Sequence, residues 1–346
     1  MTALPRIPLS VLDLMPIGTG STPSGVLRAT LDYARKAEEL GFTRYWVAEH
    51  HNSANIASSS PPVTIAAIGA ATSRIRVGSG GVMLPNHPPF VVAEQFATLN
   101  ALYPDRVDLG VGRTPPHEPG VAKALRLDAR GREAFDFPQQ LGELFGFLRN
   151  DFPEGHALYG VSAQPVLTTK PSVWLLGSSE NGARMAAELG LPFAFAHHFS
   201  PQNTVPAMQL YRRLFQPSEY LSHPYAILAA GATVAETDEQ ARRLTAPAAA
   251  ALLWAQTGPP QPFPTPEEVE EHPWTPQERA WLDGFLRTQT SGSPETVRAK
   301  LADLLERSQA QELMAVSLIT DPVERTRSLV RLRELFGSEP LPQGLA

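Results

Sequence analysis

The sequence has no cysteine in 346 residues. Disulfides, thiolate metal sites and cysteine nucleophiles are therefore excluded. It also lacks a strong charge of either sign. Lys and Arg number 29 against 35 Asp and Glu, for a net charge of −6, and the basic residues are scattered. Neither nucleic acid nor an anionic membrane is expected as a partner. No uncharged apolar run of about 18 residues occurs, so no membrane-spanning helix is expected. The opening residues, Met-Thr-Ala-Leu-Pro-Arg-Ile-Pro, lack a basic region followed by an apolar stretch. No signal peptide is expected, and the expected location is cytoplasmic. There is no repeat of constant period, and no GxGxxG dinucleotide fingerprint is evident.

What is present is apolar residue, proline and glycine. Apolar residues make up 42% of the chain, enough for a substantial core. The length suits one large domain or two ordinary ones. Prolines number 34, about twice average usage, and many cluster late in the chain. The glycines concentrate where they are least expected. In Arg74-Ile-Arg-Val-Gly-Ser-Gly-Gly-Val-Met-Leu-Pro-Asn-His87, Gly78, Gly80 and Gly81 interrupt an apolar strand that Pro85 ends. Glycine packs no side chain and weakens a strand, so this run needs a reason. Either the strand bulges, or a flat ligand lies against bare backbone.

Periodicity and punctuation give strands at Ile7–Leu14, Tyr45–Ala48, the glycine run, Val107–Arg113, Val173–Leu176, Pro192–Ala196, Tyr225–Gly231 and Leu313–Leu318. Helices are predicted between them, including one from Ala134 to Leu148 and one from Asp238 to Trp254. Strands alternating with helices imply parallel pairing through right-handed crossovers. Eight such units predict an α/β fold, a TIM (β/α)8 barrel in a single domain over residues 1–346. Residues 256–293 form a proline-rich insertion before the last strand. Gln256 to Pro276 holds seven prolines and Glu267, Glu268, Glu270 and Glu271. Such a segment is expected to lack a packed structure of its own and to act as a mobile lid.

In a barrel, chemistry gathers at the C-terminal ends of the strands. His50, the glycine run, Arg113, Gly177 to Ser179 and His197 would share that face. Gly177-Ser178-Ser179 turns a strand into a helix. It is either an ordinary serine cap or a phosphate site, since free N–H groups and the helix dipole favour an anion there. Arg113 ends the preceding strand and could grip the same phosphate, or pair with a surface carboxylate. Neighbouring residues on a strand face opposite sides, so His50 and His51 should not serve one site equally. Asp13, His50, His197 and His198 near strand ends raise a metal-dependent hydrolase as an alternative. No HxH ligand pair lies on one strand, and no metal is expected.

These blocks together resemble the bacterial luciferase-like flavin monooxygenases, in particular their single-chain luciferase-like subgroup. The resemblance is carried by Arg44-Tyr-Trp-Val-Ala-Glu-His-His-Asn52, Val77 to His87, Ala93-Glu-Gln-Phe-Ala-Thr-Leu-Asn100, Tyr103-Pro-Asp-Arg-Val-Asp-Leu-Gly-Val-Gly-Arg113, Trp174-Leu-Leu-Gly-Ser-Ser179 and Gly190 to Ala196. It spans nearly the whole chain. It implies a TIM barrel that uses reduced FMN and O2 to oxygenate a small organic substrate through a C4a-peroxyflavin. It also implies a homodimer and, with no dinucleotide fingerprint here, a separate NAD(P)H:flavin reductase. By the resemblance, His50 is the catalytic histidine. Arg113, Gly177, Ser178 and Ser179 hold the FMN phosphate, and Gly80 and Gly81 form a cis peptide beneath the flavin ring. An F420-dependent oxidoreductase of the same superfamily, or a flavin-binding protein without catalysis, remains the alternative. Nothing in the sequence names the substrate.

Overall fold

A computed structural model describes residues 4–114, 118–127, 136–166 and 169–337. The strands are β1 (Leu9–Asp13), β2 (Arg44–Val47), β3 (Arg76–Met83), β4 (Val107–Gly112), β5 (Ser172–Gly177), β6 (Phe193–Ala196), β7 (Ala226–Val234), β8 (Thr290–Gly292) and β9 (Glu312–Val316). Eight of them pair in parallel in the order β6-β5-β4-β3-β2-β1-β9-β7, and β6 pairs with β7 to close the ring. The expected TIM barrel is therefore present, with β9 as the eighth barrel strand. The short β8 lies outside the ring against the end of β7.

The outer layer is α1 (Pro23–Glu39), α2 (Pro61–Ala71), α3 (Pro89–Leu102), α5 (Phe137–Arg149), α6 (Glu180–Glu188), α7 (Thr204–Leu214), α8 (Asp238–Trp254), α11 (Pro294–Ser308) and α12 (Pro322–Leu335), and the short α4 (Pro119–Ala124) follows β4 at the cavity end. Local chemistry explains their limits. Thr22 caps α1 by accepting from the Gly25 N–H, Pro23 occupies its first turn, and Gly41 at φ +77° follows its end. The expected start of α5 at Ala134 lies outside the described residues.

Side chains alternate along every barrel strand. Tyr45 and Val47 pack outward into the strand–helix core, with Val11, Val77, Leu109 and Phe193. Leu12, Trp46, Trp174, Ile227 and Met314 fill the interior. Trp46 and Trp174 meet edge to face at 5.3 Å. Two indoles in one small barrel leave no room on the facing strands. A Cβ on Gly78 would lie 2.5 Å from the Asp108 carbonyl oxygen of the neighbouring strand and 2.8 Å from the Trp46 Nε1. The glycine run is therefore explained in part by interior volume. The bulge offered as one explanation is also there, since the β3–β4 register shifts between Gly80 and Val82.

The lower end of the barrel is closed by buried charge. Arg44 Nη1 donates to Asp108 at 2.9 Å, and its Nε donates to Glu312 at 3.0 Å. Arg76 pairs with Asp108 at 2.8 Å, and the Tyr225 hydroxyl donates to Glu312 at 2.8 Å. Two cations and two anions balance, which is what keeps burial of these ions tolerable.

The insertion differs from expectation. Residues 256–293 carry α9 (Pro266–Glu271), α10 (Pro276–Thr288) and β8. The prolines do not break these helices because they occupy the first turns, where no N–H is needed. Thr265 with Glu268, and Thr275 with Glu278, form complete capping boxes. Leu282 and Leu286 of α10 pack on Ala249 of α8. Arg243 of α8 pairs with Glu270 at 2.7 Å and with Glu267, which ties part of the acidic run to α8. Phe263 is strapped to the β1–α1 loop through Thr19 N–H to Phe263 O and Phe263 N–H to Ile17 O, both at 2.8 Å.

Candidate active site

A cavity of about 610 Å³ opens at the C-terminal ends of the strands. His50, Gly80, Arg113, Gly177, Ser178 and Ser179 all line it. Gly81 does not; it is the extra residue of the β3 bulge, and a Cβ there would meet the Gly110 carbonyl at 2.7 Å. The Gly80–Gly81 peptide is cis. Gly80 faces the cavity, and a Cβ there would lie 2.8 Å from Leu12 Cδ1.

The β5–α6 turn forms one end of the site. Ser179 is the α6 N-cap residue, yet its side chain makes no capping bond. Its hydroxyl lies 3.5 Å from the Arg113 guanidinium at the end of β4. Among the described residues Arg113 has no carboxylate partner. A cation, an uncommitted hydroxyl and the free N–H groups of a helix start converge on one edge of the cavity. That donor set fits a phosphate.

The β2 end forms the opposite wall. Glu49 is 6% exposed and acts as a hub. It accepts from the Met83 N–H at 3.0 Å and from Asn86 Nδ2 at 2.8 Å, and it contacts His51 Nε2 at 2.8 Å and His87 Nε2 at 3.0 Å. Burial pushes its carboxyl up, but these partners outweigh burial and hold it down at about 2. The hydrogen bond to Glu49 raises His51 above its ordinary value. His50 behaves oppositely. Burial lowers it, outweighing Glu49, and its Nδ1 is buried without a partner. Both histidines line the cavity, contrary to the strand-alternation expectation. The reason is that β2 ends at Val47, so alternation no longer governs residues 50 and 51. They differ in chemistry instead, His51 tied to a carboxylate and His50 neutral.

Sequence reasoning missed Glu49, Met83, Asn86 and Glu118, and named His198 only among the residues of the metal alternative. His198 does line the cavity, at the end of β6, whereas His197 turns away with its Nδ1 2.7 Å from the Thr204 hydroxyl. Glu118 accepts from Asn52 Nδ2 at 2.6 Å across the mouth. The Glu-His-His triplet carried a signal for the hub, since an acid beside two imidazoles is a ready partner for both. The other members come from distant segments and carried none.

Fold and cavity together describe a TIM barrel with a cavity at the C-terminal strand ends, beside a helix start whose donors fit a phosphate. The chain belongs to the luciferase-like monooxygenase family, whose model matches residues 7–312, and so to the oxidoreductases. It is 40% identical over 322 residues to a luciferase-like monooxygenase of Escherichia coli (strain K12), covering 93% of this chain and 95% of that one. It is 45% identical over 328 residues to an uncharacterized protein of Bacillus subtilis (strain 168), covering 95% and 96%. Among solved structures, that of apo-MsnO8 is similar with a TM-score of 0.86 and 37% identity, over 96% of this chain and 99% of that chain. No helix among the described residues is long and apolar enough to cross a membrane.

Proposed function

We propose that the cavity binds reduced FMN and that the protein uses it with O2 to oxygenate a small organic substrate. The observation that carries this reading is the pairing of Arg113 with Ser179 at the start of α6, on the same cavity as His50 and Gly80. Arg113, Ser178, Ser179 and the N–H groups at the α6 start would hold the phosphate, and Gly177 keeps the turn close to the helix. Gly80 would lie beneath the ring, where a side chain is absent, with Gly81 behind it in the bulge. When bound, reduced FMN supplies the two electrons that let O2 give one oxygen atom to the substrate and one to water.

The chain's own residues do the rest. Burial keeps His50 neutral near pH 7, so its imidazole can accept a proton from a bound ligand and return it. Glu49 fixes the β2 end against the β3 end and so positions His50 without touching it. The apolar walls of Leu12, Leu14, Leu176 and Met314 exclude water. The reduced cofactor comes from a separate NAD(P)H:flavin reductase, and the working unit is a homodimer.

Titration of the purified protein with FMN, reduced FMN and F420, followed by oxygen uptake against a panel of carbonyl and thioether compounds, tests the reading. Tightest binding of reduced FMN with substrate-dependent O2 consumption is expected. Tight F420 binding without O2 uptake would replace it with hydride transfer, and flavin binding without turnover would leave a flavin carrier. The segment 256–293 is proposed as the cover of this face, through the Phe263 strap beside the β1–α1 loop. FMN should slow its limited proteolysis; cleavage indifferent to FMN removes it from the cycle.

A further inference from the structure

Burying a polar nitrogen in an apolar wall is unfavourable unless it finds a partner. His198 sits in such a wall, at the end of β6 among Ala194, Ala196 and Ala229. Its Nδ1 lies 3.0 Å from the Ala229 carbonyl oxygen, and its own backbone N–H reaches the same oxygen at 3.3 Å. A carbonyl only accepts, so Nδ1 must carry the proton. That fixes the tautomer of a neutral ring, and Nε2 is left as a lone pair that can only accept. Among the described residues no group hydrogen-bonds Nε2. Burial keeps the ring neutral, holding His198 down to about 4. His198 and His50 line the same cavity.

We infer that His198 is a binding residue whose Nε2 accepts a hydrogen bond from an uncharged N–H or O–H group of the molecule held beside His50. The inference deepens the proposed function and rests on it for the identity of the bound ring. The donor belongs either to the imide N–H of the flavin or to the organic substrate. In either case the site selects a neutral donor over its methylated analogue. An anionic group facing Nε2 would be rejected, because the ring offers it no proton.

Two matched pairs of probes separate the sources. The first pair is FMN and 3-methyl-FMN, which lacks the ring N–H. The second, added to the FMN-bound protein, is N-methylbenzamide and N,N-dimethylbenzamide. In one pair the N–H member should bind about 10-fold more tightly, the scale of one neutral hydrogen bond. His198→Leu should abolish that preference, and His198→Gln, whose carbonyl can replace Nε2, should retain it. Preference in the flavin pair assigns the donor to the cofactor, and preference in the amide pair assigns it to the substrate. No preference in either pair, or one that His198→Leu leaves intact, overturns the inference. Nitrogen-15 NMR of histidine-labelled protein without ligand provides an independent check. It should show His198 protonated at Nδ1, and protonation at Nε2 overturns the inference even where flavin binds. Failure of the protein to bind any flavin, with the Nδ1 tautomer observed, would instead count against the flavin reading.

Discussion

Arg113 shows how much a single residue's meaning depends on its surroundings. In the sequence it is an arginine at a strand end, equally suited to a surface ion pair. In the fold it faces the Ser179 hydroxyl at 3.5 Å and has no carboxylate partner among the described residues. An uncommitted guanidinium beside a helix start fits an anion that arrives with a ligand. Arg113→Ala should therefore weaken FMN binding while leaving riboflavin binding nearly unchanged. Charged hydrogen bonds contribute about 1.5–3 kcal/mol, or roughly 10- to 150-fold in Kd. Fluorescence titration of both flavins checks this, and equal losses for the two would separate Arg113 from the phosphate. His50, Gly80, Arg113 and Gly177 to Ser179 were legible because strand ends converge in any barrel. The Glu49 hub was legible only in its Glu-His-His triplet, because Met83, Asn86 and His87 meet it through the β3 end.

At the scale of elements, the informative pair is β3 with β4. Ser79 Oγ donates to the Gly110 carbonyl at 2.9 Å and accepts from the Gly110 N–H at 3.0 Å. The strands approach so closely there that a Cβ on Gly110 would lie 2.1 Å from the Ser79 carbonyl oxygen. The obstacle is backbone, so it cannot rotate away. Gly110→Ala should destabilise the protein by at least the ~1–3 kcal/mol typical of overpacking. Urea unfolding measures it, and a loss below about 0.5 kcal/mol, the scale of a neutral surface change, would mean the strands part readily. The glycines of β3 were legible as an anomaly, but what needs the space was not, since Trp46 and the β4 backbone at Asp108 and Gly110 come from other segments. The insertion taught the opposite lesson. Thr265-Pro-Glu-Glu268 and Thr275-Pro-Gln-Glu278 are capping boxes readable in the sequence, and the abundance of proline obscured them.

Across the whole molecule, the barrel followed from eight alternating strands and helices, whereas the polar floor did not. Arg44, Asp108 and Glu312 lie on three separate strands, and only closure of the ring brings them together. Histidines at the C-terminal strand ends are partly withdrawn from solvent, and this shapes how stability depends on pH. Burial lowers His50, His197 and His198, the last to about 4. Their ordinary value is about 6.5. Above that value both folded and unfolded chains hold them neutral, and they leave stability unaffected. Below it the unfolded chain takes up protons that the folded chain refuses, so stability falls as pH drops from about 6.5 toward about 4. His51 has the opposite sign. It is raised by Glu49, so its contribution is full below about 6.5 and is lost as pH rises through its folded value. Glu49 itself contributes above the ordinary carboxylate range and loses its contribution only as pH falls toward about 2. Between about pH 6.5 and 5 the buried histidines therefore dominate the slope. A single fully shifted group contributes about 1.36 kcal/mol per pH unit. His198→Gln, which cannot take up a proton in either state, should flatten the decline by up to that amount in this window. Urea unfolding of both proteins at several pH values reads it directly, and parallel curves would show that the folded chain admits a proton to His198 after all.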